Sequence, residues 1–222
     1  MKELKKEKKF SWSLFQAVPL VGIVRNVGFE DFKQVLNIAQ QAGLTTLEVT
    51  MNTPDAESLI QYANELLGTE MNIGVGTVCT MQDLERSLAA GAQFVVTPII
   101  SEEVIKTCVA KGVPVFPGAY TPTEIYKAWS WGAKVIKVFP CTTLGSSYIK
   151  DLAGPLSQIK LLPTGGVDLS NMEEFKKAGS AGFGMGGALF NSEYIKSKNW
   201  EALAQHIESY ILKTKTLYTD EN

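Results

Sequence analysis

Eight short apolar runs recur along the chain, at residues 18–25, 45–51, 72–78, 94–99, 114–119, 135–140, 160–165 and 182–187. Intervals of about twenty to thirty residues separate them, room for one helix each. In Val135-Ile136-Lys137-Val138-Phe139-Pro140, alternation sets Val135, Lys137 and Phe139 on one face and Ile136 and Val138 on the other. Both faces are apolar, which marks a strand of a parallel sheet covered by helices. Thr53-Pro54 and Thr121-Pro122 each predict a cap residue before a proline in the first helical position. Thr121 to Glu124 and Ser170 to Glu173 have capping-box spacing. Gly43, Gly91, Gly112, Gly132 and Gly179 fall just ahead of the next strand, where a left-handed residue closes a helix.

Eight alternating units with no linker predict an α/β fold, a single (β/α)8 TIM barrel over residues 1–222. An amphipathic helix carrying Phe10, Trp12, Leu14 and Phe15 precedes the first strand and is placed to plug the barrel floor. A last helix over 199–213 presents Trp200, Leu203, Ile207 and Ile211 on one side, and residues 1–9 and 214–222 are expected to be flexible ends. The competing topology, a doubly wound open sheet, lacks its Gly-x-Gly-x-x-Gly turn after the first strand.

Composition removes several classes of function. The 222 residues are 45% hydrophobic, ample for one core, and the net charge is −2 without an interior basic cluster. Nucleic-acid binding therefore has no electrostatic footprint. Lys2 to Lys9 holds five lysines and two glutamates and faintly mimics a secretory leader. Gln16, Pro19 and Arg25 interrupt the apolar stretch that follows, and no small-residue cleavage site is evident. No run approaches membrane-spanning length. Cys79, Cys108 and Cys141 are odd in number and lack metal-ligand spacing, which points to a reducing, cytoplasmic setting. The single histidine, His206, is expected on a surface helix and leaves no multi-histidine metal site.

Lys137 is the residue that composition does not explain. A lysine held inside an apolar strand loses hydration, and its pKa falls from ~10.4 toward neutrality. The free amine can attack a carbonyl and form a Schiff base. A snorkelling lysine, or one paired with a carboxylate, fits this run equally well on its own. The C-terminal strand ends, the active face of such barrels, supply Arg25, Glu48 with Thr50, Thr77, Thr97-Pro98, Gly118, Lys137, Thr164-Gly165-Gly166 and Gly186-Gly187. Parity in Thr46-Leu47-Glu48-Val49-Thr50-Met51 turns Glu48 into the lumen, where it can pair with a buried amine or move protons for it. Glycine pairs at 165–166 and 186–187 end strands seven and eight, the usual phosphate loops of this fold. Thr77 and Thr164 could hold a carboxylate or be ordinary strand residues, and Arg25 is an anion ligand or a rim charge. Cys141 reads as a bystander, and Trp129, Trp131 and Phe175 as packing.

Leu47-Glu48-Val49-Thr50, Gly74-Val75-Gly76-Thr77, Lys137-Val138-Phe139-Pro140 and Pro163-Thr164-Gly165-Gly166 together resemble the motifs of the 2-keto-3-deoxy-6-phosphogluconate (KDPG)/4-hydroxy-2-oxoglutarate (KHG) aldolases, over about residues 17 to 212. The resemblance implies a metal-independent class I aldolase, without organic cofactor and usually homotrimeric, acting on a small 2-keto acid in carbohydrate metabolism of the Entner–Doudoroff type. It implies Lys137 as the Schiff-base lysine and Glu48 as the acid/base working through a water. It further implies Thr77 and Thr164 at the pyruvate carboxylate, Pro98 and Phe139 shaping the pocket, and Gly165, Gly166, Gly186 and Gly187 at the phosphate. Two positions depart from the family pattern. Asn52 stands where many members have a carboxylate-binding arginine, which moves that anchor toward Arg25, and Gly187 stands where many have a serine. Two rivals remain from sequence: a phosphosugar isomerase or epimerase using Lys137 as a cation, and a sugar-acid binding protein without turnover.

Overall fold

Every apolar run becomes a strand, and every interval between runs holds at least one helix. The computed structural model describes residues 8–219. In chain order these form α1 (Trp12–Ala17), β1 (Leu20–Val24), α2 (Phe29–Gln41), β2 (Thr46–Thr50), α3 (Ala56–Leu67), β3 (Asn72–Gly76) and α4 (Met81–Ala89). Then come β4 (Val95–Val96), α5 (Glu102–Ala110), β5 (Val115–Phe116), β6 (Gly118–Ala119), α6 (Pro122–Ser130) and β7 (Val135–Val138). The chain closes with α7 (Gly145–Ala153), β8 (Lys160–Pro163), α8 (Met172–Lys177), β9 (Phe183–Met185), α9 (Ser192–Lys196) and α10 (Trp200–Thr219).

All strand pairs are parallel, in a six-stranded sheet ordered β5-β4-β3-β2-β1-β9 and a three-stranded sheet ordered β6-β7-β8. The fifth run, expected as one strand over 114–119, is divided at Pro117, which has no N–H to give a ladder. On either side of the break, Phe116 O accepts from Thr97 N at 3.3 Å and Pro117 O accepts from Lys137 N at 3.0 Å. At the other margin Thr164 pairs with Gly184 in an isolated parallel bridge.

Strand parity sorts the apolar side chains into two clusters. Leu47, Val49, Ile73, Val75, Ile136 and Val138 join Phe32, Leu36, Leu59 and Ile60 from the helices. Val21, Phe94, Val96, Phe116, Val135 and Leu162 form a second cluster on the opposite strand faces, completed by Phe15 with Phe10 and Trp12 against it. Phe10 lies 5.3 Å from Phe94 and 6.0 Å from Phe116, and Phe15 lies 5.6 Å from Phe116, centroid to centroid. The predicted floor plug is therefore built by Phe10, Trp12 and Phe15; Leu14 falls outside this cluster. Asn72 at the start of β3 holds the plug, accepting from Ser11 N at 2.7 Å and donating to Ser11 O at 2.9 Å.

The helix punctuation is mostly as read. Thr121 and Glu124 form a reciprocal capping box with Pro122 in the first turn, and Thr80 with Asp83 forms a second, unanticipated one. The five closing glycines all have positive φ, between 68° and 105°. Three expectations need correction. Thr53 does not cap α3, which begins after Asp55; its buried hydroxyl instead meets Thr50 Oγ1 at 3.0 Å and accepts from Asn26 N at 3.1 Å. Ser170 does not cap α8, because its N–H and hydroxyl both bind the nearer Asp168 carboxylate. The last helix extends to Thr219, with Thr214 buried, so residues 214–219 are helical rather than a flexible end. Of the other expected end residues, Lys8 donates to Glu65 O at 2.9 Å, while 1–7 and 220–222 lie outside the described residues. No described helix is long and apolar enough to cross a membrane.

Candidate active site

Two residues beyond Val135 on the same face of β7 stands Lys137, 5% exposed and surrounded by strand neighbours. From β2, Glu48 is 1% exposed and close enough for its charge and that of Lys137 to act on each other. The carboxylate fits only because position 76 is glycine: a Cβ there would overlap Glu48 Oε1. Likewise a Cβ at Gly74 would overlap the Phe94 ring, so the two glycines of β3 let an aromatic fill the floor and an acid fill the level above.

Burial disfavours both charges. It raises the Glu48 pKa to about 7, against the opposing pull of Lys137 and then Arg25. It lowers the Lys137 pKa, opposed by Glu48 and assisted by Arg25. The two side chains do not form an ion pair within 4.0 Å, and Glu48 Oε2 is buried with no hydrogen-bond partner among the described residues. A lysine and an acid that merely locked two strands together would be in contact. These two instead act on each other's charge without an ion pair, and the amine is set 4.6 Å from the Phe139 ring centroid.

Arg25 extends from the end of β1 over this space, its Nη2 donating to Thr77 Oγ1 at 3.4 Å. Thr77 adopts φ 59°, a conformation a β-branched residue takes only when its surroundings impose it. Asn26 N, bonded to Thr53, ties the Arg25 loop to the β2 loop that carries exposed Asn52. Pro98 packs its backbone against Gly118, where a Cβ would come within 2.5 Å of it. Thr97 lies at the same level, but its hydroxyl is taken by Ile99 O and Gly118 N.

The Thr164–Gly184 bridge brings the two glycine loops together. Gly165 and Gly166 have φ of 84° and 76°, and a Cβ at Gly166 would sit 2.6 Å from Thr142 Cα. Gly187 is exposed with nothing within 4 Å of where a Cβ would stand. The N–H groups of Gly166, Gly187 and Ala188 donate to no acceptor among the described residues. Arg25, Thr77, Pro98, Phe139, Thr164, Gly165, Gly166, Gly186 and Gly187 follow the C-terminal ends of their strands while Glu48 and Lys137 lie within theirs, and Thr164 is more recessed than Thr77, its hydroxyl bonded to Leu162 O at 3.3 Å.

Sequence reading missed Thr142, which faces both glycines of the β8 loop, and Cys79, whose thiol is pushed up by burial and by Asp83 against the pull of Lys137. Thr142 directly follows the Lys137 strand and its Cys141 neighbour; its place in that order was the available signal. Cys141 is buried, and burial pushes its thiol up to about 11, in keeping with an inert residue. Trp129, Trp131 and Phe175 pack on the core as expected. His206 is half-buried on α10, where its ring lies against Tyr194 and Tyr210 and Nε2 donates to Ala188 O at 2.7 Å. A depression of about 1130 Å³ between Lys8, Phe10, Trp12 and Lys111 brings together no buried acid and amine. Among the described residues no three His, Cys, Asp or Glu side chains group as metal ligands.

The sequence model of the family described as KDPG and KHG aldolase matches residues 13–206. The 2-dehydro-3-deoxy-6-phosphogalactonate aldolase of Escherichia coli (strain K12) is 31% identical over 194 residues, 87% of this chain and 95% of that protein. The 2-dehydro-3-deoxy-phosphogluconate aldolase of Treponema pallidum (strain Nichols) is 33% identical over 168 residues, 73% of this chain and 79% of that protein. Among solved structures, the KDPG aldolase of Legionella pneumophila, with pyruvate captured as a covalent carbinolamine, superposes with a TM-score of 0.83 at 27% identity, covering 90% of this chain and 97% of that one.

Proposed function

The chain belongs to the KDPG and KHG aldolase family, and from that premise we propose that it is a class I aldolase in which Lys137 forms the Schiff base and Glu48 moves the protons. The observation that carries this reading is a buried, charge-poor amine sharing a lumen with a buried carboxyl that it does not contact. One water fits the chemistry of that gap, accepting from Lys137 and donating to Glu48.

The neutral amine of Lys137 adds to the C2 ketone of a 2-keto-3-deoxy-6-phospho sugar acid, giving a carbinolamine. Glu48, through the water, protonates the departing hydroxyl, and loss of water leaves the iminium. The C3–C4 bond then breaks, its electron pair passing into the iminium to give an enamine, as the C4 hydroxyl proton goes to Glu48. The phosphorylated aldehyde leaves. Protonation at C3 and addition of water release pyruvate and the free amine.

Arg25 and Thr77 hold the substrate carboxylate, taking over from the uncharged Asn52, with Thr164 at the recessed edge. Pro98 and Phe139 shape the walls, and the open N–H groups near Gly165, Gly166, Gly186 and Gly187 receive the phosphate. KDPG is the first substrate to try, with its galactonate epimer and KHG next, in an Entner–Doudoroff type of sugar-acid breakdown. The two sheets read as one closed (β/α)8 barrel in a single domain, supported by the one-residue gap at Pro117 and the Thr164–Gly184 bridge. A homotrimer and a cytoplasmic setting complete the proposal, the latter supported by three free cysteines. Borohydride reduction with pyruvate, followed by peptide mapping, is the test. A pyruvyl adduct on Lys137 is expected; an adduct on another lysine, or none, overturns the assignment.

A further inference from the structure

Each glycine loop is tethered from behind by one side chain. On the β8 loop, Asn171 Nδ2 donates to Gly166 O at 2.8 Å while its Oδ1 accepts from Asp168 N at 2.9 Å. On the β9 loop, Gly186 O accepts from Leu189 N at 2.9 Å and Phe190 N at 2.8 Å, which closes a tight turn. Another carbonyl of that turn, Ala188 O, is taken by His206 Nε2 at 2.7 Å. A carbonyl oxygen only accepts, so Nε2 carries the proton. His206 itself is held between Tyr194 at 5.8 Å and Tyr210 at 5.1 Å, centroid to centroid. Asn191, which ends the turn, caps α9 through Oδ1.

The consequence is a fixed course for the backbone of both loops. Asn171 and His206 hold the Gly166 and Ala188 carbonyls and so fix the backbone on which the N–H groups of Gly166, Gly187 and Ala188 stand, and none of these three donates to an acceptor among the described residues. Free backbone N–H groups held in place form a cradle for an anion. An untethered glycine turn would collapse onto its own carbonyls or onto water before a ligand arrived.

We propose that His206, together with Asn171, is a positioning residue for recognition of the substrate phosphate: it touches no substrate, and it fixes the β9 loop so that its N–H groups stay presented. The inference rests on the reading above that the glycine loops receive a phosphate. Because Gly187 offers no side-chain hydroxyl, the backbone of this loop carries its whole contribution, and the tether matters accordingly.

The test compares cleavage of KDPG with that of its unphosphorylated counterpart, 2-keto-3-deoxygluconate, in the full-length protein. His206→Leu should raise KM for KDPG about tenfold, the scale of one weakened charge-assisted hydrogen bond. The constants for the unphosphorylated substrate and the rate of pyruvate trapping should stay within about twofold of the parent. His206→Gln, which keeps an N–H donor, should recover most of the loss. Asn171→Ala should act in the same direction at the other loop and serves if His206→Leu does not fold. Equal losses on both substrates, or none on KDPG, would overturn the proposal. A parent enzyme that traps pyruvate on Lys137 yet does not favour the phosphorylated substrate would remove the phosphate reading and the tethers with it, leaving the aldolase chemistry intact.

Discussion

On β7, Val135 belongs to an apolar cluster with Phe94, Phe116 and Leu162, whereas Lys137, two residues later on the same face, shares its level with Glu48. On β3, Gly74 makes room for Phe94 and Gly76 makes room for the Glu48 carboxylate. Floor and mouth are thus built from the same strands with the same parity and opposite chemistry. The floor excludes water by filling its volume with rings. Its dryness is what makes the mouth useful, because two ionisable groups above an apolar plug lose solvation from below and face solvent only where substrate enters.

The largest effect that separates the two halves is expected at Lys137. Lys137→Met should abolish both turnover and the borohydride adduct while leaving the folded spectrum intact; retention of the full aldol-cleavage rate would refute the covalent route. Glu48→Gln should lower kcat by about 10²–10⁴-fold, the range for general acid–base groups. It should also change stability in a pH-dependent way. The folded pKa of about 7 lies above the unfolded value of 4.5, so the native state holds an extra proton between them. Wild-type stability therefore falls as pH rises through that window, and the Gln variant should be the more stable protein above pH ~7, by roughly 1–3 kcal/mol. Urea midpoints at two pH values measure this, and parallel curves would contradict it.

A floor substitution should do the reverse. Phe116→Ala should cost about 3–5 kcal/mol of stability, read as a lowered urea midpoint, while the protein that remains folded forms the Lys137 adduct at the parental rate. Gly76→Ala joins the two halves: its methyl displaces Glu48 and overpacks the lumen at a cost of about 1–3 kcal/mol, and kcat should fall with it. The smallest effect is expected at the rim. Arg25→Leu should raise the pyruvate concentration needed for trapping by roughly 10–100-fold, the loss of one charged hydrogen-bonding partner. Because Arg25 helps hold the Lys137 pKa down, the free-amine limb of the pH–rate profile should also move to higher pH; a limb that stays in place would show that Arg25 does not act on the amine.

Much of this was legible in the chain because it depends on period and parity. The eight runs, the inward turn of Glu48 and Lys137, the five positive-φ glycines and the Thr121 cap are local consequences of pattern, and each has its counterpart in the structure. The misreadings at Thr53 and Ser170 have a common source. Each hydroxyl has two partners within a few residues, and the choice between capping a helix and bonding Thr50, Asn26 or Asp168 depends on where the loop is led by the rest of the protein.

What the sequence determined by itself was the type of element at each position and the face on which each functional side chain stands, since both follow from backbone geometry over a few residues. Only the tertiary structure decided that Lys137 and Glu48 are coupled without an ion pair, that Arg25 reaches Thr77 across the β1 and β3 ends, and that His206 from the last helix holds a carbonyl of the β9 loop. Those relations join residues far apart in the chain, and the spacing between them is set by strand order, by glycines that admit bulky partners and by the aromatic floor, none of which a local pattern encodes.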